Sequence, residues 1–194
     1  MQKVSKIKKT LLSKSFFRFW KYQFLIKSYN KKVKPYKINR EILNIGDVVF
    51  ALCFNPEEKK FYLIKQFRPF YFVRSKNLKY ELIGGLVDKG ENLTTALKRE
   101  IKEEIGVKTK KIVKLTTYCP VPGYSDEIVH VYYAEVEKIK IKSLYNKNEN
   151  EEIKIFKLTL NQLKKINESK SIQNVLTKIS IYEYLKKFKK SLRY

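Results

Sequence analysis

Nine residues between Gly85 and Val107, in GLVDKGENLTTALKREIKEEIGV, have the types and spacing to do chemistry: Gly85, Glu91, Arg99, Glu100, Ile101, Glu103, Glu104, Gly106 and Val107. Leu97, Ile101 and Ile105 recur with helical period, which predicts a helix from about Leu93 to Ile105 that stops at Gly106, a residue suited to the left-handed cap. On that helix Glu100, Glu103 and Glu104 fall within an arc of roughly 100°. The arc borders the apolar stripe, while Lys98 and Lys102 take the far side. Like charges three and four residues apart destabilise a helix, so a carboxylate cluster at the border of the core calls for cations. Oxygen donors at this density suit Mg2+ or Mn2+.

Written as a pattern, the stretch is GX5EX7REUXEEXGU, with U aliphatic. It resembles the Nudix box at every fixed position, and the chain is identified as resembling the Nudix hydrolases. That resemblance implies an α/β fold, a mixed β-sheet sandwiched between helices (α/β/α). It also implies hydrolysis of a nucleoside diphosphate linked to another moiety, assisted by several divalent ions. Carried over by position, Glu100 and Glu104 are expected metal ligands and Glu103 a ligand or the water activator. The carbonyl of Gly84 is a further expected ligand. Glu91 is placed to pair with Arg99 and brace the loop.

Outside the box the chain is similar to the ADP-ribose pyrophosphatase branch of that family. KQFRP makes Arg68 an expected diphosphate contact, and ELIGGLVDKGE resembles the entry to the box, with Ile83 and Gly84 where Pro and Ala are usual. VPGYSDE resembles a substrate loop and makes Glu127 an expected ribose contact, although Val121 stands where Ser is common. ENEEI, from Glu149 to Ile153, resembles the segment carrying a water-activating glutamate, here Glu151 or Glu149. Aromatic side chains stack on adenine in relatives, which makes Trp20 a candidate for that contact. The resemblance runs from about Asn39 to Lys187. It leaves GDP-mannose-type hydrolysis and removal of pyrophosphate from RNA 5′ ends as alternatives. Outside enzymes, the alternative is a basic module that binds nucleic acid or a membrane surface.

The elements that must position these residues follow from pattern. GDVVFALCFN, KFYLIKQF, KYELIGGLV, IVKLTTYC, EIVHVYYAEV and EEIKIFKLT are β-branched and aromatic runs, read as strands. PEEK is a turn, and KSLYNKNEN a polar linker. Thr159 with Gln162 three residues on starts a short helix with a capping box. A closing amphipathic helix carries Ile172, Val175, Leu176, Ile179, Tyr182, Leu185 and Phe188. Strands mixed with three helices and no internal repeat imply one α/β domain, drawn as residues 41–190, after a basic aromatic arm at 1–40.

That arm has no acidic residue, and the whole chain carries 43 Lys and Arg against 19 Asp and Glu, a net charge of +24. Such a balance favours anionic partners, but lysine is spread through all segments and does not single one out. The aromatic FFRFWKYQF of the arm and the resemblance together imply a homodimer. Cys53 and Cys119 lack metal-ligand spacing, and unpaired thiols suit a reducing, cytoplasmic setting. No apolar stretch approaches the roughly 18 residues of a membrane span.

Overall fold

Trp20, Tyr22, Phe24 and Ile26 alternate with Lys21, Gln23 and Leu25, and a period of two is that of a strand. In the computed structural model, which describes residues 3–146, 150–169 and 174–188, this stretch is the middle strand of an antiparallel sheet. The sheet is β1 (Lys3–Lys14), β2 (Arg18–Lys27) and β3 (Tyr36–Asn44), in that order. Cross-strand pairs Trp20–Ile42 and Phe24–Ile38 gather the apolar face, and Gln23–Asn39 lies on the polar one. β1 is exposed along its whole length.

The chain divides into two compact units. The first is Met1–Asp47 with Cys119–Ile128, the second Val48–Tyr118 with Val129–Tyr194. The strands β1, β2 and β3, within and just past the segment drawn at 1–40, all lie in the first unit, which also includes the 119–128 loop. Asp126 ties that loop down. Its carboxylate accepts hydrogen bonds from the Ile45 and Gly46 N–H groups at 2.7 and 3.1 Å and from the Asn44 side chain.

The second unit is built on β4 (Asp47–Asn55), the run VVFALCF, which lies inside a sheet and is buried on both faces. With β5 (Lys60–Lys65), α1 (Pro69–Ser75), β6 (Ile83–Leu86), α2 (Leu93–Ile105), β7 (Thr109–Tyr118), β8 (Ile128–Val136), β9 (Ser143–Asn146), β10 (Glu151–Leu158), α3 (Leu160–Glu168) and α4 (Val175–Lys187) it completes the fold. The sheet order is β7-β8-β4-β5-β10-β9, and β6 pairs with β4 beside that path. Val49, Ala51, Cys53, Tyr62, Ile64, Ile153 and Ile155 pack with Ala96, Leu97, Ile101 and Ile105 of α2. Alternation sends the neighbouring side chains to the opposite face, where Phe61 and Tyr133 meet Tyr184 of α4 with ring centroids 5.1 and 5.4 Å apart. This is the α/β arrangement expected, a mixed sheet with helices on both faces. Burial of Cys53, with the nearby charge of Glu104, pushes its thiol pKa up.

The elements differ from expectation in two places within this unit. The segment after Arg68 is a fourth helix, α1, started by Pro69 at its first turn and closed by Lys76 in the left-handed region. Half of the expected polar linker is β9, held by the register Ser143–Lys154 to Asn146–Glu151. The capping box is present, with Thr159 and Gln162 bonded reciprocally at 3.2 and 2.9 Å. Ile172 of the closing helix lies outside the described residues, and the helix is described from Val175.

Gly84 is the most closely approached of the glycines. Its φ is +145°, and a Cβ there would lie 2.8 Å from Phe50 Cα and closer still to the Val49 carbonyl oxygen. Both obstacles are backbone of β4 and cannot swing away. Gly46 also has a positive φ, +87°, but open space around it. Gly84→Ala is expected to cost at least about 3 kcal/mol, adding backbone strain to overpacking, whereas Gly46→Ala should cost about 1 kcal/mol. Denaturant unfolding of the two variants checks this, and equal losses would refute the close approach at Gly84.

Candidate active site

Helix α2 is fixed at both ends by local chemistry. The Asn92 side chain accepts a hydrogen bond from Thr95 N–H at 2.9 Å, and Gly106 closes the helix at φ +69°. Four buried residues, Ala96, Leu97, Ile101 and Ile105, seat it on the sheet, so its polar edge is turned to the glycines of β6.

Arg99 organises that edge. Its guanidinium donates to Glu91 at 3.1 and 3.3 Å, to Glu100 at 2.8 Å, to Glu103 at 3.1 Å and to the Leu86 carbonyl at 2.9 Å. Asp88 stands 3.7 Å away. The Glu91 hydrogen bonds, followed by the charge and hydrogen bond of Glu100 and the hydrogen bond of Glu103, raise the guanidinium pKa still further against its burial. In return Arg99 holds the Glu91 carboxyl below the usual range. The repulsion among these glutamates is thus offset by a resident cation of the chain itself.

Glu100 lies against bare backbone. A Cβ on Gly85 would come within 2.7 Å of its Oε1 and 2.9 Å of its Cδ, so the glycine makes room for the carboxylate. Glu104, one turn further along, accepts a hydrogen bond from Gly84 N–H at 2.8 Å. Burial pushes its pKa well above the usual value and the charge of Glu100 adds to this, while the Gly84 hydrogen bond and Arg68 oppose it. Glu103 is the outermost of the three, its side chain 50% exposed. Among the described residues no three carboxylate, imidazole or thiol groups stand close enough together to enclose a cation. Arg99 pairs with Glu100 and Glu103, and Glu104 is turned to the backbone.

Arg68 stands at the mouth of α1, where its Nε donates to Glu81 Oε2 at 3.0 Å. Both line a groove of about 270 Å3 with Phe50, Phe70, Leu82 and Asn174. Glu81 is 6% exposed and also accepts from Gln66 Nε2 at 3.3 Å. Gln66 Oε1 is buried without a hydrogen-bond partner. Sequence reasoning overlooked Glu81, although it opens the segment ELIGGLVDKGE. An acidic residue at the head of a buried apolar run is the signal that could have found it.

The remaining candidates are placed as follows. Glu151 begins β10, paired with Asn146 and half-buried. Glu149 lies outside the described residues. Trp20 and Glu127 belong to the first unit. Trp20 is half-buried with the Lys9 ammonium 3.9 Å from its ring centroid. Glu127 donates its N–H to Ser125 Oγ at 3.1 Å, and burial raises its carboxyl pKa. His130 is a buried strand residue beside Thr117.

Known proteins resemble this chain in sequence and in fold. The family model for the NUDIX domain matches residues 45–177. The chain is 32% identical to an ADP-ribose pyrophosphatase of Bacillus subtilis (strain 168) over 75% of each chain. It is 28% identical to a GDP-mannose pyrophosphatase of Citrobacter koseri over 83% of this chain and 84% of that one. A crystal structure of an ADP compounds hydrolase superposes with a TM-score of 0.76 at 15% identity, covering 99% of this chain and 97% of the other, a likeness of fold.

The Glu104 environment has a consequence for stability. Because the folded pKa is raised, the native state binds more protons than the unfolded state between the two pKa values, and stability falls as pH rises through that window. Glu104→Gln is neutral and escapes the loss. In EDTA it should melt about 2–4 °C above the parent near pH 8, with the gap closing as pH falls to the ordinary carboxylate range. Thermal melts at both pH values check this, and a gap that does not change with pH would remove the carboxylate as its source.

Proposed function

The chain belongs to the NUDIX family, and from that premise we propose that it cleaves the diphosphate of ADP-ribose to AMP and ribose 5-phosphate, with Mg2+ as the working cation. One observation carries the reading: Glu100 and Glu104, one turn apart on α2, face the Gly84–Gly85 backbone, with Arg68 close enough to act on the charge of Glu104. The site fits a divalent cation in kind, since its donors are all hard oxygens and Gly85 leaves a cradle that a Cβ would fill. Glu100, Glu104 and the Gly84 carbonyl would hold it, joined by Glu103, which is otherwise the water activator. When bound, such a cation clamps diphosphate oxygens and acidifies the attacking water.

The chain's own groups do the rest. Arg68 offers a planar fork to the diphosphate and exchanges its bond to Glu81 for one to substrate. Glu127 accepts hydrogen bonds from ribose hydroxyls, and Trp20 stacks on the base. Glu151, with Glu149 two positions before it, takes the proton of the attacking water. Residues 1–40, the basic aromatic segment, serve a homodimer in which 41–190 is the hydrolase domain. Val4, Ile7, Leu11 and Leu12, exposed on β1, support that reading, because a long bare edge strand invites pairing. The free thiols of Cys53 and Cys119 suit the cytoplasm. The similarity to a GDP-mannose pyrophosphatase favours a second reading in which the sugar is a hexose.

A Mg2+-dependent screen of nucleotide sugars should show ADP-ribose as the best substrate and no turnover in EDTA. Arg68→Lys should raise KM about tenfold, because the charge survives but the fork does not. Glu151→Gln should lower kcat by at least about 100-fold with little change in KM. Preference for GDP-mannose would sink the ADP-ribose reading, and full kcat in Glu151→Gln would sink the assignment of the base. Light scattering should report a dimer at micromolar concentration.

A further inference from the structure

Helix α1 turns its apolar side chains outward. Tyr71 is its one buried residue. At about 100° per residue, Phe70 and Phe72 stand to either side of Tyr71 and Val73 nearly opposite. All three are more than half exposed, Val73 at 79%. Phe67, just before the helix, is as exposed as Phe72, and the two ring centroids lie 5.7 Å apart. Leu78, just after it, is exposed as well. A surface helix ordinarily buries its apolar stripe and shows solvent its polar one. Here that order is reversed. The helix does not need those side chains to form, since Pro69 starts it, Lys76 closes it, and Ser75 Oγ donates to the Tyr71 carbonyl at 3.2 Å. A contiguous exposed apolar patch of this kind marks a surface that something covers.

Charge selects the cover. From Gln66 to Tyr80 the chain has no acidic residue. Arg74 in the last turn and Lys76 at the cap are exposed, and among the described residues neither forms an ion pair. A second copy would bring the same two cations, and the same net charge of +24, against this face. Self-pairing through α1 is therefore opposed by charge, and an anionic cover is favoured. Shape narrows the choice further. From Phe72 through Val73 to Phe70 the outward side chains span an arc of roughly 160°, a convex ridge. A protein partner would have to supply a matching groove, whereas the boundary between lipid headgroups and acyl chains yields to a ridge. Phenylalanine beside Arg and Lys is the composition of segments that lie in that boundary, and anionic leaflets attract such cations. Among the described residues no helix is long and apolar enough to cross a membrane, so the contact is one of lying on the surface.

We propose that α1, with Phe67 and Leu78, docks the chain on an anionic lipid surface. Phe67, Phe72 and Val73 enter the headgroup–acyl boundary, and Arg74 and Lys76 stay among the lipid phosphates. Phe70 belongs both to this face and to the Arg68 groove, so docking brings the groove to the lipid surface. Neither Phe72 nor Val73 lines that groove, which separates the docking face from hydrolysis.

Flotation of the full chain with vesicles tests the face, using phosphatidylcholine alone and an equimolar mixture of phosphatidylcholine and phosphatidylserine. The chain should float with the mixed vesicles and bind the neutral ones at least about tenfold more weakly. Phe72→Ser/Val73→Ser keeps every charge and, at exposed positions, the fold. It should weaken binding to the mixed vesicles at least about tenfold while nucleotide-sugar hydrolysis in the absence of lipid is unchanged. Arg74→Glu should weaken binding about fivefold more than Lys164→Glu, which makes the same charge change at an exposed position of α3. No flotation with the mixed vesicles overturns the proposal. So does full binding by Phe72→Ser/Val73→Ser, or equal loss in the two charge reversals, because either reduces the attraction to net charge alone. An assembly seen by light scattering without lipid and lost in Phe72→Ser/Val73→Ser would give the face to a second copy. Soluble polyglutamate bound as tightly as the mixed vesicles would give it to an acidic polypeptide, and either result overturns the lipid assignment.

Discussion

Everything on the polar edge of α2 depends on one guanidinium. Arg99 touches three glutamates and the Leu86 carbonyl at once, and lysine, a single point charge, could not reproduce that span. The contacts join three pieces of chain: the end of β6, the loop carrying Asp88 and Glu91, and the helix itself. Without Arg99, Glu100 would lose the cation beside it, and the loop would lose its tie to the helix. The carboxylates are therefore stored in a compensated state, and binding a cation exchanges one compensation for another.

Local signals were legible where the residues that make an element also end it. The extent of α2 follows from the Leu97–Ile101–Ile105 stripe and Gly106, and the capping box of α3 from Thr159 and Gln162. Legibility failed where an element is made by its surroundings. The seven residues of α1 are too few to display a helical period. β9 owes its state to its partner β10, and KSLYN alone says nothing of it. The strands of the first unit did alternate, but lysines on both sides of the alternation hid it. For the site, the spacing of the glutamates was readable because one helix carries them. Glu81 was not, because its significance comes from Arg68, thirteen positions away in sequence and 3.0 Å away in space.

The charge of the chain is likewise unevenly compensated. The first unit holds thirteen Lys and Arg against four acidic residues, and among the described residues none of those cations forms an ion pair. The second unit spends its acidic groups locally: Glu58 on Tyr62, Lys138 and Lys157, Glu57 on Lys110, and Glu135 on Lys111. Surface pairs of this kind contribute little each, so the net charge is a matter of solubility and encounter with anions more than of fold.

The burial of Cys53 gives the chain a reporter on its own opening. Its thiol lies in the strand that the rest of the second unit packs around, with a pKa pushed up by burial, while Cys119 is exposed. A thiolate reagent meets Cys119 in the native state but reaches Cys53 only when β4 is uncovered. Under conditions where closing outpaces modification, the slow alkylation rate measures the population of molecules open at the core. The fast one at Cys119 supplies the internal standard, so two unmodified native cysteines time the breathing of the fold without any label being introduced.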